Sequence, residues 1–210
     1  RLMMGLLAPQ PFLSVFCGDA SLTRRPMGRV RQPLSQMGAR IFGRSGNNNL
    51  PLTIVPTEEK LHGIHYESPV ASAQVKSAIL LAGLYADAPT TVTEPYVSRD
   101  HTEQMLTGFG VHIERTGTSV TVFPVEDGGY CAPDMITVPG DISSAAYFLV
   151  AGSIIEGSRL LLRNIGVNPT RTGILDVLTE MGAQISVQNE HMSGGERVAD
   201  LAVEAASLHG

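Results

Sequence analysis

The chain has 210 residues, 43% of them hydrophobic, enough to bury a real core in one or two ordinary domains. No apolar run reaches the roughly 18 to 20 residues that a membrane-spanning helix needs. With 15 Lys and Arg against 20 Asp and Glu the net charge is −5, which excludes a general nucleic-acid coat and leaves any anion binding local.

The first element is an apolar helical pattern (Leu2, Met3, Met4, Leu6, Leu7) that starts directly after Arg1 with no cap before it. The last residues, Ser207-Leu208-His209-Gly210, follow straight on a strand-like run, so both ends read as cuts through a longer chain. Cys17 and Cys131 form no CxxC, which supports neither a disulfide framework nor a zinc ribbon and suits a reducing, cytoplasmic setting. Next comes the basic stretch 18–31. Pro26 suits the first turn of a helix and would place Arg24 and Arg25 at its entrance, beside free backbone N–H groups. Guanidinium forks at a helix N-terminus make an anion site; a solvated basic turn is the plainer alternative. Leu34 and Met37 give that helix an apolar face, and Gly38 reads as its left-handed terminus before a strand near Ile41.

His62 and His65 have metal-like spacing but no further ligand at fixed spacing, so no metal site is expected there. An apolar helix over 75–86 is preceded by Ser72, Ala73 and Gln74. Ser72 either caps this helix or holds a phosphate oxygen, and Gln74 can both donate to and accept from a polar ligand. A strand over 90–93 leads to Ser98, Arg99, Asp100, His101 and Glu103, where Asp100 and Glu103 form a capping box for a second helix and His101 belongs to that cap rather than to acid/base chemistry. Strands over 111–115 and 119–123 follow. Asp141 then reads as the N-cap of a helix over 143–152, with lining of a pocket as the sharper alternative. The chain continues with a strand over 159–164, a helix ending at Gly182, and strands over 183–189 and 200–205.

These elements repeat. Gly38, Gly110 and Gly182 are spaced by 72 residues twice over, and Leu34, Leu106 and Leu178 fall at the same interval, as do Met37, Phe109 and Met181. Arg99 and Arg171 share a repeat position too. The order helix, strand, helix, strand, strand mixes a parallel crossover with a terminal hairpin, which predicts a mixed α/β (α+β) fold with helices beneath a mixed sheet. Duplication alone is compatible with mere scaffold, so function has to come from where the copies differ.

Five stretches carry a resemblance: GDASLTRRPMGRV (18–30), PVASAQVKSAILLAG (69–83), SRDHTEQML (98–106), PGDISSAAYFLVA (139–151) and NPTRTGILDVLTEMGA (168–183). In this order they resemble the 5-enolpyruvylshikimate-3-phosphate synthases, among the enolpyruvyl transferases, over essentially the whole chain. SAQVKSA and RDHTE are most similar to the bacterial class whose substrate motif reads Ser-Ala-Gln. The resemblance implies repeated βαβαββ units, part of a two-lobed inside-out α/β barrel with substrates between the lobes. On that basis 1–138 belong to the lobe made by the central chain, about two units, and 139–210 begin the other lobe with about one unit.

The implied reaction transfers the enolpyruvyl group of phosphoenolpyruvate to the 5-hydroxyl of shikimate 3-phosphate and releases phosphate through a tetrahedral intermediate. It uses no cofactor or metal. By motif match, Arg25 grips phosphoenolpyruvate, Ser72 and the backbone of Ala73 hold shikimate 3-phosphate, Gln74 touches both, and Ser98 or Arg99 reaches the phosphate of shikimate 3-phosphate. Asp141 and Arg1 are supporting residues. The family's Lys-Ser and arginine upstream, and its catalytic aspartate, lysine, glutamate and arginines downstream, have no counterpart within 1–210, so no catalytic residue is assigned and the chain alone is expected to be inactive. The expected partners are the two small substrates of a cytoplasmic monomer, with no nucleic acid or membrane. One alternative is the related transferase acting on UDP-N-acetylglucosamine, whose reactive loop of Cys or Asp before Arg-Pro is not matched by 18–26; another is a non-catalytic module of the same scaffold.

Overall fold

The computed structural model describes residues 1–126, 129, 131 and 134–210. It is a mixed α/β chain that divides into two compact units, one formed by Arg1–Ser98 with Gly110–Cys131 and the other by Arg99–Phe109 with Ala132–Gly210.

The first unit holds helices α1 (Leu2–Leu7), α2 (Ala20–Arg24) and α3 (Gly28–Gln36), a single tight turn α4 (Arg44–Asn47), and helix α5 (Ala73–Gly83). Its strands are β1 (Ser14–Phe16), β2 (Arg40–Gly43), β3 (Asn49–Val55), β4 (His65–Glu67), β5 (Thr90–Thr93), β6 (Ile113–Thr116) and β7 (Ser119–Val122). They make an antiparallel sheet β1-β3-β2 and a mixed sheet β4-β5-β7-β6, in which β4 and β5 run parallel.

Helix α5 organises this unit. Its sequence is apolar on nearly every side, as a helix enclosed in a core requires, and Ala78, Ile79 and Leu80 are fully buried. One side lies on the second sheet, where the alternating inward residues Thr90 and Val92 face Val122 and Val120 across β5 and β7. On another side α1 approaches so closely that a Cβ on Gly5 would stand 1.9 Å from the Ala78 carbonyl oxygen. Only glycine permits that approach, and it sets Arg1 at the start of α1 against the first turn of α5.

The second unit holds α6 (His101–Gly108), α7 (Ile142–Ile154) and α8 (Gly173–Glu180), and strands β8 (Arg159–Gly166), β9 (Gln184–Ser193) and β10 (Glu196–Glu204). Here β10 is central in the antiparallel order β8-β10-β9. Ile142, Ala145 and Leu149 of α7 and Leu178 of α8 close a core over Leu201 and Val203. The β9–β10 hairpin is longer than its apolar pattern suggests because Gly194 and Gly195, both at positive φ, supply the turn.

Gly38, Gly110 and Gly182 have φ of 99°, 81° and 89°. Each follows a helix and turns the chain into a strand, the left-handed role that glycine fills without a Cβ penalty. Leu34, Leu106 and Leu178, the apolar residues four positions before them, are all buried.

Two local expectations fail. Pro26 does not open a helix: α3 starts at Gly28 after the N-cap Met27, and α2 ends just before Pro26. Asn48 explains the difference, since its carbonyl accepts from the Met27 N–H at 2.7 Å and its side chain from the Gly28 N–H at 2.8 Å, so groups expected to await an anion are already bonded. The Asp100–Glu103 capping box does not form through Asp100, whose carboxylate makes no cap bond to α6 and instead accepts from Gln104 and Asn168.

Candidate anion-binding site

In the first unit the candidate residues gather at the first turn of α5. The N-cap of α5 is Ser72, in extended conformation, but its hydroxyl makes no cap bond. The backbone of this residue is held from elsewhere: the Ser72 N–H donates to Glu94 Oε1 at 2.8 Å. Ala73 and Gln74 follow as the first helical residues, whose N–H groups have no acceptor within the helix. Ser72 and Ala73 are half-buried and Gln74 is exposed, so hydroxyl, amides and side-chain amide are all within reach of a ligand.

Gln74 is fixed by Arg1, whose Nη1 donates to its Oε1 at 2.8 Å while Nη2 donates to the Pro26 carbonyl at 3.0 Å. One guanidinium therefore bridges the start of α5 and the Arg24-Arg25-Pro26 turn. The turn itself is pinned by Asn49, whose amide donates to the Arg24 and Arg25 carbonyls at 3.2 and 3.4 Å. Asp19 caps α2 by accepting from the Leu22 N–H at 2.7 Å. Arg24 and Arg25 keep exposed guanidinium groups on a backbone held at both sides.

Ser98 comes to the same place through Glu94. Its hydroxyl donates to Glu94 Oε2 at 2.8 Å, and its N–H lies 3.4 Å from the same oxygen. The carboxylate is paired with Lys76 at 3.0 Å, with both side chains only 2% exposed, and Lys76 Nζ lies 3.5 Å from the Ser98 carbonyl. Sequence reasoning missed both members of this pair. The available signal was a lysine on the buried face of an otherwise apolar helix, since lysine is almost never fully buried without a partner.

Arg99 is exposed and, with Asp141, lies in the second unit. Asp141 does cap α7: its carboxylate accepts from the Ser144 N–H and hydroxyl, both at 3.2 Å. Arg171 joins it, with Nη2 3.1 Å from Asp141 Oδ1 and bonded to the Ser143 hydroxyl. The backbone N–H of Ser143, then those of Ser144 and the Arg171 charge, hold the Asp141 carboxyl below the ordinary aspartate value. Both expectations for Asp141 have a basis, because Asp141 and Arg171 also line a cavity of about 380 Å³ with His101, Met105, Phe109 and Glu196. His101 is engaged by Glu196, Nδ1 to Oε1 at 2.7 Å.

His62 pairs with Asp87 at 2.8 Å and His65 with the Thr93 hydroxyl at 3.1 Å, so the two histidines serve separate contacts. Among the described residues no group of three His, Cys, Asp or Glu could hold a metal ion, and no helix is long and apolar enough to cross a membrane.

The family model for EPSP synthase (3-phosphoshikimate 1-carboxyvinyltransferase) matches residues 1–208. The chain belongs to the EPSP synthase family. It is 57% identical over 210 residues to the 3-phosphoshikimate 1-carboxyvinyltransferase of Desulforudis audaxviator (strain MP104C), covering 100% of this chain and 48% of that protein. It is 52% identical over 208 residues to the enzyme of the same name from Bacillus subtilis (strain 168), covering 99% of this chain and 47% of the relative. Among solved structures, the EPSP synthase from Acinetobacter baumannii superposes with a TM-score of 0.85 at 46% identity, covering 97% of this chain and 45% of that one. The chain thus spans about half the length of the EPSP synthases it matches.

Proposed function

We propose that these residues are part of an enzyme transferring the enolpyruvyl group of phosphoenolpyruvate to shikimate 3-phosphate. The observation that carries the reading is the Ser72 hydroxyl, which makes no cap bond on a backbone held by Glu94 and is set beside Gln74, which Arg1 holds by a 2.8 Å bond. Two anionic substrates need convergent N–H, hydroxyl and guanidinium donors, and α5 supplies the first two while the pinned Arg25 turn supplies the third. Ser72, the Ala73 amide and Ser98 hold shikimate 3-phosphate, Arg25 takes phosphoenolpyruvate, and Gln74 spans both. Arg1 supports the site by holding Gln74, and Arg99 and Asp141, in the second unit, are assigned by motif match alone, Arg99 to the sugar phosphate and Asp141 to a supporting role. No residue of 1–210 serves as general acid or base, so these groups bind and orient, and proton transfer falls to residues beyond this chain.

The same reading makes the architecture three βαβαββ units of a two-lobed inside-out barrel, with 1–138 in one lobe and 139–210 opening the other. In support, the last strand sits between its neighbours in β1-β3-β2, β5-β7-β6 and β8-β10-β9 alike. The protein is a cytoplasmic monomer of the shikimate pathway that acts on small molecules without metal or cofactor.

Titration of shikimate 3-phosphate into the full-length protein and its Gln74→Ala variant tests the site. Binding weakened in the variant supports it; equal heats from both would mean that the scaffold is present without the site. The isolated 210-residue chain should release no phosphate from phosphoenolpyruvate, since it holds about half of the relatives' length.

A further inference from the structure

Lys76 and Glu94 form the most deeply buried ion pair among the described residues, each side chain 2% exposed, and no binding role has yet been given to either. The pair is costly to build. Both charges leave water, and Lys76 sits in the first turn of α5, where the helix dipole disfavours a cation. Glu94, immediately after β5, ties α5 to the 94–98 loop: Oε1 to the Ser72 N–H at 2.8 Å, and Oε2 to the Ser98 hydroxyl at 2.8 Å and to Lys76 at 3.0 Å, with Lys76 Nζ also 3.5 Å from the Ser98 carbonyl.

We propose that Glu94 is a positioning residue for the sugar-phosphate half of the site, and that Lys76 is its built-in counter-charge. This rests on the reading of Ser72 and Ser98 as ligands of shikimate 3-phosphate. The carboxylate does two things at once. By accepting the Ser72 N–H it fixes the backbone of the residue whose hydroxyl, making no cap bond, faces the substrate. By accepting the hydrogen bond from the Ser98 hydroxyl it ties that oxygen to the same carboxylate that holds Ser72 and leaves its lone pairs available as acceptors. A bare carboxylate one residue behind a phosphate pocket would repel the substrate; the ammonium of Lys76, bonded to the same oxygen as Ser98, cancels that charge within the protein interior. Arg1, Gln74 and Arg25 make none of these contacts, so the phosphoenolpyruvate side does not depend on the pair.

The test uses the full-length enzyme with Glu94→Gln, Lys76→Met and the neutral double variant Lys76→Met/Glu94→Gln. For each, the midpoint of thermal unfolding, the Kd of shikimate 3-phosphate by calorimetry, and the KM of each substrate are measured. Removing charge-assisted hydrogen bonds from a buried cluster should raise the Kd and KM for shikimate 3-phosphate by about tenfold or more, with the KM for phosphoenolpyruvate unchanged. The double variant should recover thermal stability over either single variant, because the two partners of the buried pair are removed together, yet keep the weakened sugar-phosphate binding. Folded variants that bind shikimate 3-phosphate as the wild type does would overturn the proposal, as would an equal rise in both KM values. If single variants do not fold, the double variant decides between the same two outcomes. Failure of the wild type itself to bind shikimate 3-phosphate would instead refute the proposed function, so the two failures are distinct.

Discussion

Gly5→Ala is the sharpest perturbation of the scaffold beneath the site. The added methyl carbon would stand 1.9 Å from the Ala78 carbonyl oxygen and 2.8 Å from the Ala78 Cα, all backbone atoms of α5, so no side chain can turn aside to make room. An ordinary contact begins near 3.4 Å, which requires α1 to withdraw from α5 by about 1.5 Å. Alanine gains about 1 kcal/mol over glycine in helix propensity. Against this, overpacking costs about 1–3 kcal/mol, and withdrawal also loosens Met4 and Ala8, each 1% exposed. The clash wins, and a net loss of about 1–2 kcal/mol is expected on urea unfolding of the full-length protein. The shift also carries Arg1 away from Gln74, taking a 2.8 Å bond out of range, so affinity for the substrates should fall in the variant that remains folded. A variant as stable as the wild type with unchanged substrate affinity would refute the packing of α1 on α5 and Arg1's part in the site together.

Two further predictions concern charge. Asp141 has its folded value depressed, chiefly by the Ser143 backbone N–H, so its stabilisation is complete above the ordinary aspartate range and is lost as pH falls through the lowered value. The acid unfolding curve of Asp141→Asn should therefore lie closer to its own neutral-pH stability than the wild-type curve does; identical acid sensitivity would count against the cap. His62 has its value raised, first by the hydrogen bond to Asp87. Its contribution is full below the ordinary histidine value and is lost as pH rises through the raised one. In an NMR titration the His62 resonance should move at higher pH in the wild type than in Asp87→Asn, and coincident curves would remove the pair.

What the sequence disclosed follows from what each feature depends on. The left-handed glycines 38, 110 and 182 were legible because a positive φ leaves few other choices and the requirement is local. The burial of Leu34, Leu106 and Leu178 was legible for the same reason, helical periodicity being a property of neighbours in the chain. Pro26 misled because Asn48, 20 residues beyond Gly28 and brought back by the β2–β3 hairpin, bonds the amides at the start of α3. Ser72 read as a possible cap, and the residue that holds its backbone instead, Glu94, lies 22 positions away across a helix and a strand. Lys76 and Glu94 were missed because only the placement of β5 against α5 makes them a pair. Residues that answer to the local backbone could be read in advance, and residues that answer to a partner from another element could not.

The central claim is that this chain belongs to an enzyme that joins phosphoenolpyruvate to shikimate 3-phosphate. The most direct measurement is phosphate release from phosphoenolpyruvate by the full-length protein, with shikimate 3-phosphate or UDP-N-acetylglucosamine as acceptor. Release that depends on shikimate 3-phosphate, and is absent with the nucleotide sugar, is the expected result. No release with shikimate 3-phosphate, or release that depends on UDP-N-acetylglucosamine, would contradict the account.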